Sequence, residues 1–99
     1  MNFKKETLEI LQENGKSWND VKFIQGEHFS VANDKEEILQ LMNFNYDNGY
    51  GAPEIAQDLV IVGDNWWLER HEYDGSEWWE YKETPKKLTE SKFIKRFKL

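Results

Sequence analysis

The chain has 99 residues, of which 38% are hydrophobic and 32% charged, with a formal net charge of −6 and a mean hydropathy of −0.88. That length supports one domain with a core of its own, and the absence of cysteine excludes disulfides, thiol nucleophiles, Cys-ligated zinc and iron–sulfur clusters. No run approaches the roughly 18 apolar residues of a membrane span, and Met1–Glu6 leads into no signal-peptide stretch, so a soluble protein of the cytoplasm is expected.

Residues 3–14 read as an amphipathic helix with Phe3, Thr7, Leu8 and Leu11 on one stripe, widened by Ile10 and stopped by Gly15. Val21–Ile24 and His28–Ala32 are short strand candidates around Gln25-Gly26-Glu27, a spacing that suits a hairpin with Gly26 at positive φ. Asn33 or Asp34 caps a second helix, and Asp34 with Glu37 has capping-box spacing. Its expected core face is Ile38, Leu39, Leu41 and Met42. Asn45 to Pro53 is loop, because its glycines and Pro53 oppose either regular state, and Pro53–Ala56 suits one helical turn. Its Asn48-Gly49-Tyr50-Gly51 lacks the spacing and the lysine of a phosphate cradle. Asp58–Val62 is apolar on both faces and is expected to be a strand covered on both sides. Trp66–Tyr73 and Glu77–Lys82 are strands joined at Asp74-Gly75, the strongest hairpin signal in the chain.

Beyond Pro85 the charge inverts. Residues 1–85 carry 18 acidic against 7 basic residues, a net −11, whereas residues 86–99 carry six basic residues against Glu90. Leu88, Phe93, Ile94 and Phe97 suit a basic helix that docks on the acidic body; the other reading is an arm for an acidic partner. An acidic body repels phosphates, so it is not expected to bind nucleic acid. The fold expected is α+β in a single domain, with two N-terminal helices, a short hairpin and an antiparallel meander from Leu59 to Lys82.

Four of the five tryptophans lie between Trp66 and Trp79. A two-residue turn at Asp74-Gly75 sets His71 opposite Trp78, Arg70 opposite Trp79 and Glu69 opposite Glu80. One face then holds Trp66, Leu68, Arg70, Trp79 and Tyr81, with Arg70 laid over Trp79. The other holds Trp67, Glu69, His71, Tyr73, Trp78, Glu80 and Lys82. Rings mixed with carboxylates form either cross-strand pairs that hold a small sheet or a recognition surface. The candidate binding residues are therefore Trp67, Glu69, His71, Tyr73, Trp78 and Glu80, with the Trp and Tyr rings as anchors and Glu69, Glu72, Glu77 and Glu80 steering the encounter.

An alternative is a small metal-dependent or hydrolytic enzyme, since opposed Glu69 and Glu80 beside His71 can bind a cation or tune a carboxyl for acid–base work. No His-Glu-x-x-His signature accompanies them, and no cofactor is expected. A third use, sugar stacking on exposed rings, lacks any secretory feature.

Asp64-Asn65-Trp66-Trp67-Leu68-Glu69-Arg70-His71-Glu72-Tyr73-Asp74-Gly75-Ser76-Glu77-Trp78-Trp79-Glu80-Tyr81-Lys82, preceded by Tyr46-Asp47-Asn48-Gly49-Tyr50-Gly51, resembles a family of small uncharacterised proteins of phages and prophages of Gram-positive bacteria. The likeness covers residues 45–85. It implies an accessory protein at work in the bacterial host cytoplasm, and it brings no catalytic residues with it. Taken together, the expectation is a non-enzymatic phage protein that binds a host or phage protein through an acidic, aromatic surface, with counteraction of a host system as one such role.

Overall fold

Local chemistry starts the first helix, α1 (Phe3–Glu13), where the Asn2 side chain accepts the Lys5 amide, and ends it beyond Asn14, where Gly15 takes φ 71°. The computed structural model describes residues 1–49 and 51–86. The expected docking of Phe93, Ile94 and Phe97 lies outside the described residues. After a 3-10 turn at Trp18–Asp20 come strands β1 (Phe23–Gly26) and β2 (Phe29–Val31), then helix α2 (Lys35–Leu41). Strands β3 (Val60–Val62), β4 (Trp66–Tyr73) and β5 (Ser76–Glu83) complete an α+β fold.

All five strands form one antiparallel sheet in the order β2-β1-β3-β4-β5. The early hairpin therefore joins the meander through β1 and β3, with Ile24 opposite Ile61 and Ile61 opposite Leu68. These three side chains share one face and are buried, together with Trp66 and Trp79. Phe3, Thr7 and Leu11 of α1, Leu39 and Met42 at α2, and Trp18, Val21, Tyr46 and Ile55 cover that face. Removing each large apolar side chain of this layer from water contributes roughly 1.5–3 kcal/mol. The Trp18 indole N–H donates to the Lys35 carbonyl at 3.0 Å and ties the 3-10 turn to α2.

The tip of the β4–β5 hairpin is as expected. Asp74 and Gly75 take φ 50° and 85°, the positive values a type I′ turn requires, and all eight residues of each strand pair in the expected register. Other expectations are corrected. Strand β1 begins two residues late, and Val21 instead enters the core from the 3-10 turn. Gly26 lies in the strand opposite Phe29 rather than at positive φ; it is needed for room, since a Cβ there would strike the Phe29 ring. Asp34 makes no capping bond because its own backbone is left-handed, at φ 59°. Leu41 is exposed, because α2 stops after seven residues with Leu39 and Met42 facing inward. Pro53–Ala56 forms no helical turn; its amides turn to the hairpin instead. Among the described residues strand β3 is covered on one side, with Ile61 buried and Val60 and Val62 half-buried on the outer face.

Candidate functional site: the two faces of the hairpin

Alternation along β4 and β5 sends two kinds of polar residue in opposite directions. On the inner face, the Arg70 guanidinium lies 4.8 Å from the Trp79 ring, 5.4 Å from Phe3 and 5.8 Å from Tyr46. It donates to Glu77 Oε1 at 3.0 Å and to the Tyr46 hydroxyl at 3.1 Å, and Glu6 stands at 3.5 Å. The Tyr46 hydroxyl donates in turn to Glu6 at 2.5 Å. Burial first, and the Glu6 carboxylate second, push the Tyr46 phenol well above its ordinary range.

Glu77 is 2% exposed, which corrects its expected role as a steering carboxylate. Besides Arg70 it accepts the Glu54 and Ile55 amides at 2.6 and 3.2 Å, while its own amide donates to the Asn48 carbonyl. The loop before β3 is thus pinned to the hairpin by one buried carboxylate. Strict alternation already places Glu77 beside Trp79 and Tyr81 on the inner side, so its parity was the available signal. Nothing in the sequence pointed to Tyr46 or Glu6 as its associates, because both come from distant segments.

The outer face carries the predicted residues. The Trp67 indole N–H donates to Glu69 Oε1 at 2.7 Å, and the Trp78 indole N–H donates to Glu80 Oε2 at 3.1 Å. His71 stands between the carboxylates, with Nε2 at 2.6 Å from Glu69 and Nδ1 at 3.4 Å from Glu80. Its ring stacks on Trp78 with centroids 6.5 Å apart, and Lys82 Nζ donates to Glu80 at 3.0 Å. Directly opposed carboxylates such as Glu69 and Glu80 repel in a bare sheet. Here the indole, imidazole and ammonium groups offset that repulsion. Hydrogen bonds from Trp67 and then His71 hold the Glu69 carboxyl below its ordinary range; Lys82 and then Trp78 do the same for Glu80.

Five of the six predicted residues form this ladder, all of them half-buried. Tyr73 shares the face but stands at the strand end, 76% exposed, outside the ladder's bonds. Phe23, Val60 and Val62 extend the same face across β1 and β3. Nothing local in the sequence announces that β1 pairs with β3, so their place on this face depends on long-range pairing.

The two carboxylates address opposite nitrogens of the His71 ring, so the three side chains do not converge on one point. Among the described residues, no group of three or more His, Asp or Glu side chains is arranged to hold a metal ion. A polar cleft of about 380 Å³ lies elsewhere, between the end of α1 and the β3–β4 turn, lined by Lys16, Lys22, Asp20, Asp64 and Trp66 among others. No helix of the described residues is long and apolar enough to cross a membrane. No protein-family model, curated protein or solved structure matches this chain.

Proposed function

We propose that this chain is a non-enzymatic binding protein whose outer sheet face receives a basic protein surface. One observation carries the reading. Trp67 and Trp78 are half-buried on a face left open by both helices, and their N–H groups are already bonded to Glu69 and Glu80. The ring surface that His71 leaves uncovered is therefore available as an apolar anchor with no indole N–H left to desolvate. Around them the charge of residues 1–85 is −11, which steers a cationic partner and repels an anionic one. The likeness of residues 45–85 to phage and prophage proteins supports an accessory role in the bacterial cytoplasm, directed at a host or phage protein.

The test compares the parent chain with Trp67→Ala and Trp78→Ala. Both variants are expected to fold, melting within a few degrees of the parent by circular dichroism, because neither ring lies in the core. Capture of a basic host protein by the parent, weakened by salt and lost in both folded variants, is the expected result. Variants that melt far below the parent would return the two rings to a scaffold role, and capture unchanged by their loss would refute the surface.

A further inference from the structure

Strand β5 is an outer strand of the sheet, and its free side has a defined length. The Thr84 amide donates to Asn65 at the far end of β4, whereas the Glu77 amide points away from β4, to the Asn48 carbonyl. Alternation between these two points turns the backbone groups of Trp79, Tyr81 and Glu83 away from β4 as well. They have no backbone partner among the described residues. The Asn48 loop closes this edge at one end, and Pro85, which lacks an N–H, closes it at the other. An edge left open by the described residues is a template for another strand.

We propose that the occupant is β5 of a second copy of this chain, paired antiparallel about a two-fold axis at Tyr81. The outer-face charges select that register. An axis at Glu80 would set Glu80 against its own copy, and an axis at Lys82 would oppose two ammonium groups. An axis at Trp79 would need the Glu77 backbone, which Asn48 already holds. With the axis at Tyr81, each Glu80 faces Lys82 of the other copy, and Trp79 pairs with Glu83. Two opposite-charge pairs form where the other registers oppose like charges or lack a free edge. The two sheets become one, and the open outer faces lie side by side.

Sedimentation of the full chain over a wide concentration range should show a monomer–dimer equilibrium. Glu80→Lys alone, or Lys82→Glu alone, should weaken the dimer roughly tenfold, because symmetry applies each like-charge contact twice. The double exchange E80K/K82E should restore it. Circular dichroism melts accompany all three variants. Should the single variants fail to fold, amide exchange of the parent decides. The Trp79, Tyr81 and Glu83 amides should gain protection as concentration rises, while Trp78, Glu80 and Lys82, bonded to β4, stay protected throughout. A monomer at every concentration, a dimer indifferent to the single reversals, or exchange at those three amides independent of concentration would each overturn the proposal.

Discussion

Replacing Glu77 by Gln removes one charge from the centre of the inner face and changes almost no volume. In the parent, the Glu77 carboxylate neutralises Arg70, whose side chain is fully buried, and accepts two amides of the loop before β3. After the substitution Arg70 keeps Glu6, at 3.5 Å, as its one ionic partner among the described residues. Leaving a buried charge without its main partner costs about 3 kcal/mol, and for a domain of this size that lowers Tm by about 12–24 °C. The expected outcome is a thermal melt shifted by that amount, with faster hydrogen exchange at the Glu54 and Ile55 amides as the loop loosens. Equality of Tm within a few degrees would refute a structural role for the ion pair. A companion variant, Arg70→Met with Glu77→Leu, separates charge from anchoring. Apolar replacement of a buried pair is often neutral, but here it strips the acceptor from two loop amides, at about 1–3 kcal/mol each. The double variant should therefore remain destabilised, with exchange at Glu54 and Ile55 still raised. Full recovery of Tm would show that the carboxylate serves Arg70 alone.

Gly75→Val forces a β-branched residue to φ 85° and should cost about 1–3 kcal/mol, visible as a melt several degrees lower; an unchanged melt would show that the tip tolerates another turn. Gly63→Ala places a methyl group inside the space of the Trp66 indole, and the displaced ring should cost about 1–3 kcal/mol by urea titration. The acid limb of stability is signed by Glu69 and Glu80, whose folded pKa values lie below the ordinary 4.5. Their contribution is complete above that value and is lost as pH falls through the lower folded values, so Tm should decline below about pH 4.5 and Glu69→Gln should flatten part of the decline. Melts recorded from neutral pH downward check the slope, and a Tm constant through that range would contradict it.

The β4–β5 hairpin was legible because two constraints agree. Asp74-Gly75 fixes the turn type, and strict alternation then assigns every side chain to a face, including the Arg70–Trp79 contact. Where one constraint stands alone, long-range packing decides the outcome. Gly26 looked like a turn residue, yet the chain uses it for the room it leaves Phe29. The apolar run at Asp58–Val62 suggests cover on both sides, but among the described residues the helices lie on one side of the sheet, and which side of a short strand faces water depends on long-range pairing. Helix α2 shows the same limit: periodicity places Leu41 with the core residues, while the early end of the helix decides its exposure. The Arg70–Glu77–Tyr46–Glu6 cluster gathers residues from four separate segments, and no spacing rule joins them.

The same residue type behaves differently on the two faces of one hairpin, and water is the reason. Glu77 is sealed from it, so both of its oxygens rely on protein donors: Arg70 and the Ile55 amide at Oε1, and the Glu54 amide at Oε2. Glu69 and Glu80 remain about one-third exposed and hydrate the lone pairs that Trp67, Trp78, His71 and Lys82 leave over. Covering the outer face with an apolar surface would strip that water from two carboxylates and return nothing for it. Covering it with lysine or arginine would replace the lost water by charge-assisted hydrogen bonds while the indoles bury their ring faces. Under the proposed binding role, the face would select its occupant by what it refuses to have desolvated: the tryptophans would supply adhesion to almost any protein, and the two carboxylates would restrict that adhesion to a basic one.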